Sequence, residues 1–80
     1  LAVGGRAQVT NTEGRALRGR AAPGLGAPVR GSFAEGEQVQ LLEGPVPADG
    51  YIWWRLEGRN GAAWAAQQSL EGVVWLMPVE

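Results

Sequence analysis

Apolar and polar residues alternate in short runs along this chain, and glycine or proline interrupts almost every run. Residues 37–43 (EQVQLLE) show the alternation most plainly. Val39 and Leu41 share one face there, and Gln38 and Gln40 take the other. A period of two is the signature of a half-buried strand. Residues 51–57 (YIWWRLE) form the longest and most aromatic run. Its even positions, Ile52, Trp54 and Leu56, are wholly apolar and are expected in the core. Its odd positions, Tyr51, Trp53 and Arg55, mix two aromatic rings with a guanidinium.

Five further runs read as strands: 6–10 (RAQVT), 16–20 (ALRGR), 28–33 (PVRGSF), 62–66 (AAWAA) and 73–77 (VVWLM). The second contains Gly19, which weakens a strand. The alanine-rich window around 62–70 opens on an Asn60-Gly61 turn signal, and its QQSL end predicts one short helical turn near residues 67–70. No interval between the breakers is long enough for another helix. Two stretches predict surface loops. One is 19–28 (GRAAPGLGAP); the other is 43–50 (EGPVPADG), a long connection between the two best strands. Short strands with turns at short intervals predict an all-β domain. At this length a small closed barrel of five to seven strands is expected, because closure removes exposed edges.

Composition sharpens this picture mainly by exclusion. Eighty residues make one domain, here read as residues 1–80 and as a fragment of a larger protein. There is no cysteine and no histidine. Disulfides are ruled out, and no metal site or cofactor is expected. Without cysteine, histidine or lysine, the usual nucleophiles and bases are missing. Ser32 and Ser69 have no histidine to activate them, and the glutamates look scattered and solvated. No phosphate-binding or dinucleotide-binding glycine motif is present. The expectation is a protein that is not an enzyme. Seven arginines face eight carboxylates, for a net charge of −1 and a pI near 5.4. Nucleic-acid binding, which draws on a positive excess, is not expected. No run approaches a membrane-spanning length, so no membrane insertion is expected.

What remains is aromatic surface. Tyr51, Trp53 and Arg55 suit a groove for an extended peptide or a sugar. A second reading stands beside it, in which Trp53 packs under a loop or under the C-terminal VVWLM.

The order of residues resembles the bacterial SH3-like domain, SH3b. Its leucine-x-x-arginine-x-x-proline element corresponds to Leu17, Arg20 and Pro23. Val29 and Phe33 follow, then Gly36 ahead of the strand at 37–43. Trp53, Arg55 and Leu56 match its tryptophan-x-basic-apolar element, and Trp64 closes the pattern. The match covers residues 6–70, with 71–80 as a terminal strand. Three positions depart from it. Gly19 stands where the family carries an apolar residue, Ala63 where it carries glycine, and Ala65 where it carries valine. With the two apolar strand faces, Leu17 and Trp64 complete the expected core of Leu17, Val39, Leu41, Ile52, Trp54, Leu56 and Trp64. The double tryptophan also resembles that of eukaryotic SH3 domains. That likeness makes Trp53 the ligand-facing ring and Trp54 the buried one. The loop from Gly14 to Pro28 is basic, however, so a proline-plus-arginine ligand is not expected.

The resemblance implies an SH3-like barrel acting as an extracytoplasmic, non-catalytic binding module of a bacterial cell envelope. Its ligand would be peptidoglycan or another peptide, held by Trp53, Tyr51, Arg55 and Arg20. Arginine grips carboxylates bidentately. Arg20 has an alternative role, tying its loop to the barrel through backbone carbonyls. The alternative function is a structural or assembly module. It would pack its aromatic face or its C-terminal strand against a neighbouring domain or a partner chain.

Overall fold

A computed structural model describes residues 1–59 and 61–79. Asn60, half of the Asn60-Gly61 turn signal, and Glu80, the end of the expected terminal strand, lie outside the described residues. Among the described residues there are seven strands: β1 (Arg6–Val9), β2 (Leu17–Arg20), β3 (Val29–Phe33), β4 (Gln38–Ala48), β5 (Tyr51–Gly58), β6 (Gly61–Ala66) and β7 (Leu76–Val79). All pair antiparallel in one sheet of order β3-β2-β6-β5-β4-β1-β7. The domain is all-β.

The sheet curls around its own core. A flat seven-stranded sheet would be about 29 Å wide and only one strand thick. The described residues instead measure 30 × 24 × 21 Å. Every strand sends a residue into a single buried cluster, from Phe33 on one edge strand to Leu76 on the other. Between them lie Ala7, Val9, Leu17, Val39, Leu41, Trp54, Leu56, Ala63 and Ala65.

The closed barrel expected from the sequence is not observed. Among the described residues no pairing joins β3 to β7, so the sheet keeps two edges. Both edges discourage further pairing by other means. Pro78 removes a backbone donor from β7, and Arg30 puts an exposed charge on β3.

Two bulges bend β4. Leu41 pairs with Leu56, Glu43 with Arg55 and Val46 with Trp53, so β4 spends one extra residue in each interval. The expected loop at 43–50 is therefore strand as far as Ala48. The prolines misled the reading because β1 pairs with only Gln38, Val39 and Gln40. Beyond that point β4 has β5 as its one strand neighbour, so Pro45 and Pro47 are on an edge, where proline is tolerated. The true turn is Asp49-Gly50, with φ of 53° and 83°. Two consecutive left-handed residues are the geometry of a two-residue type I′ hairpin.

The helical turn near 67–70 is also absent. The chain reverses there as a tight hairpin, with Gln68 bridged to Val74 and the Ser69 N–H donating to the Val73 carbonyl at 2.9 Å. The Ser69 hydroxyl oxygen accepts from the backbone N–H groups of Glu71 and Val73, and Gly72 takes φ +93°. A serine side chain bonding to backbone just ahead of a left-handed glycine competes with helix.

Close approaches explain the sequence at two glycines. A Cβ on Gly19 would lie 2.6 Å from Ala63 Cβ and 3.1 Å from the Phe33 ring. The space that an apolar side chain could fill at position 19 is thus already taken by Phe33 and Ala63. A Cβ on Gly58 would strike the Glu37 carboxylate and the same Phe33 ring. Phe33 reaches across from an edge strand because β2 and β5 both carry glycine beneath it. Glu37 is itself buried, not solvated as the sequence suggested. Its two oxygens accept from the backbone N–H groups of Ala34 (3.0 Å) and Arg59 (2.8 Å).

Two outcomes are expected in urea unfolding. Gly19→Leu, although it restores the apolar residue of the SH3b pattern, should lower stability by about 1–3 kcal/mol through overpacking. Trp54→Ala should cost about 3–5 kcal/mol.

Candidate functional site

The two faces of β5 are both covered, by different parts of the chain. Ile52, Trp54 and Leu56 point to the curled core, where Leu56 is fully buried and Ile52 is partly so. The indole N–H of Trp54 donates to Gln67 Oε1 at 2.7 Å. Trp53 points the other way and lies outside the main core cluster, yet it is only 3% exposed. Across the sheet it pairs with Val46 on β4 and Ala66 on β6. Its indole N–H donates to the Ala48 carbonyl at 2.9 Å, and the Tyr51 ring meets it edge-on at 5.9 Å. The expectation of an exposed Trp53 is therefore corrected. The reading in which it packs beneath neighbouring chain is the one the geometry follows.

Three polar tethers build the walls around this face. Arg20 Nη1 donates to the Leu25 and Ala27 carbonyls at 3.0 and 2.8 Å. Asp49 Oδ2 accepts from the Leu25 N–H at 2.7 Å. Together they pin the loop at 21–28 to β2 and to the tip of the β4–β5 hairpin. Arg20 is thus a structural strut, the alternative role foreseen for it. The third tether holds the loop at 10–16, where Asn11, Glu13 and Gly14 all have left-handed φ. Glu35 Oε1 accepts from the Gly14 N–H (2.9 Å) and the Thr12 hydroxyl (2.8 Å). The Gly14 N–H first, and then the Thr12 hydroxyl, favour the charged form and hold the Glu35 carboxyl below its ordinary value. Asn11 Nδ2 and the Thr10 hydroxyl donate to the Val74 carbonyl, fastening the same loop to the C-terminal segment.

These walls enclose a groove of about 560 Å³. Tyr51, half-buried, and Trp53, buried beside it, are among its lining residues. Arg15, Arg18, Val73 and Trp75 line it too. Arg20 and Leu25 line it as well. Of the residues expected at the site, Tyr51, Trp53 and Arg20 are brought together. Arg55 does not line the groove. Its Nη1 lies 2.9 Å from Glu43 Oε1 in an exposed ion pair, a type that contributes little to stability.

Trp64, expected in the core, is half-buried on the outer face. Ala63 and Ala65 occupy the inward positions of β6. In register Trp64 lies between Arg20 and Arg55. The sequence reading missed Trp75 as a groove residue. Its signal was the alternation in VVWLM, but the strand there begins only at Leu76. Gln67 shifts it, because its carbonyl accepts from the N–H groups of both Trp75 (2.9 Å) and Leu76 (3.2 Å).

No protein-family model matches this chain, no curated protein matches it, and no solved structure matches it.

Two measurements check this geometry. Trp53→Ala should destabilise the domain by about 3–5 kcal/mol in urea unfolding, comparably to Trp54→Ala, because both rings are buried. Protection of the Gly14 amide, its exchange relative to the intrinsic rate at each pH, should be full above the ordinary carboxylate range. It should fall as pH drops through the lowered value of Glu35, since a depressed pKa means that this tether is lost on protonation. Glu35→Gln should remove that pH dependence.

Proposed function

We propose that this chain is a non-catalytic SH3-like binding module that receives an extended peptide, such as those of the bacterial cell wall, in the groove over Tyr51 and Trp53. The observation that carries the reading is a groove lined by the aromatic residues Tyr51, Trp53 and Trp75, whose flanking loops are fixed by polar tethers. Aromatic rings supply contact area at low entropic cost, and preformed walls lower the cost of ordering on binding. The charged side chains nearest the loops favour binding over catalysis. Arg20, Glu35 and Asp49 each hydrogen-bond to backbone and so hold walls in place. The proposed setting, outside the cytoplasm of a bacterium, rests on the resemblance to SH3b domains.

A pull-down with purified peptidoglycan tests the reading. The wild-type chain should be retained, and Tyr51→Ala should lose most retention while remaining folded, its melting temperature lowered by the lost edge-on contact with Trp53 but still above the assay temperature. Arg55→Ala, which alters a charge outside the groove, should behave as wild type. Equal retention of wild type and Tyr51→Ala would remove the groove from the function.

A second reading, an assembly module, is favoured by one observation. Edge strand β3 pairs on one side only and leaves Val29 53% exposed. Arg30 guards this edge against indiscriminate pairing, but a strand that sets a carboxylate opposite Arg30, from a partner chain or a neighbouring domain, can still add to it. Light scattering that shows a concentration-dependent dimer, abolished by Gly31→Pro, would favour it.

A further inference from the structure

Charge and exposure around the groove narrow the class of its ligand, an inference that rests on the binding reading above. Three arginines line the groove against two glutamates, Glu13 and Glu71. The chain as a whole carries −1, so the groove is locally positive on a slightly acidic protein. Among the described residues the one ion pair is Arg55–Glu43. Arg15 and Arg18 are therefore exposed cations with no carboxylate partner, both turned to the same hollow.

The apolar part of the lining joins exposed aliphatic side chains to the half-buried rings of Tyr51 and Trp75. Leu25 is 50% and Val73 43% exposed, and both line the groove. Leu70, 68% exposed, sits beside Gly50 at the hairpin tip, next to Tyr51 in the chain. Stacking on a sugar needs an open aromatic plane. None of the three rings lies fully open: Trp53 is buried with its N–H bonded to Ala48, and Tyr51 and Trp75 are half-buried. Exposed leucine and valine match apolar side chains better than they match hydroxyl-bearing rings.

We infer that the occupant of the groove is an extended peptide that combines acidic and bulky apolar side chains. Its carboxylates lie against Arg15 and Arg18, and its apolar side chains lie against Leu25, Val73 and the Tyr51 ring. Guanidinium–carboxylate pairing at a partly desolvated rim sets orientation and excludes basic partners.

Fluorescence anisotropy decides this with three labelled probes: a peptide of alternating leucine and glutamate, its leucine–lysine counterpart, and glycan strands stripped of their peptides. The leucine–glutamate peptide should bind best, and its affinity should fall as salt rises. The double variant Arg15→Glu, Arg18→Glu should weaken it at least about tenfold. Val73→Asp should weaken it as well. If the double variant fails to fold, the wild-type ranking of the three probes and its salt dependence decide instead. Preference for the lysine peptide or for bare glycan overturns the inference. If that binding is still lost in Tyr51→Ala, the groove survives as the binding site. Binding of no probe, with no retention on peptidoglycan, removes both.

Discussion

The Trp54 indole and its hydrogen bond to Gln67 organise the whole domain. The ring is large and needs a core that a chain of 80 residues can barely supply. Its N–H cannot be left unpaired in that core without a penalty of about 1–3 kcal/mol. Gln67 meets the need from the end of β6, and its own backbone accepts from Trp75 and Leu76 and donates to Ile52. One residue thus satisfies the central tryptophan and ties the C-terminal segment to the middle of the sheet. Gly44 completes the arrangement. A Cβ there would come within 2.8 Å of the Trp54 ring.

The consequences spread outward from this core. With Trp54 and Phe33 inside, the inward positions of β6 must be small, and they are alanines. Alternation then sends Trp64 out, and the same alternation sends Trp53 to the face opposite Trp54. That second face would expose a large apolar ring if it were left open. Arg20, Asp49 and Glu35 prevent this by spending their polar atoms on loop backbone. The groove is what remains between the fastened loops. Its walls are set by hydrogen bonds, and Arg15 and Arg18 stand exposed along it.

Much of the strand pattern was legible because period two is a local property. The faces of β4 and β5 followed from Val39, Leu41, Ile52, Trp54 and Leu56 alone. The extent of β4 was not legible. Glycine and proline stop a strand only where both edges are paired, and edge status is a property of the sheet. The helical turn failed for a local reason that could have been read. Ser69 three residues before Gly72 is a turn signal as well as a helix end. Gly19 looked like a lost core residue, yet its space is filled from β3 and β6, which lie far away in sequence.

The sequence by itself determined an all-β chain without disulfides, the inward register of its two best strands, and an aromatic cluster at 51–54. Each of these depends on residue type and spacing, which neighbours in the chain settle. Only the tertiary structure decided that the sheet curls without closing, that Trp53 is covered, and that Arg20 is a strut while Arg55 stands apart. Those outcomes hang on contacts between residues remote in the chain, such as Leu25 with Asp49 and Glu35 with Gly14. Spacing along a sequence carries no information about which loop will reach which strand.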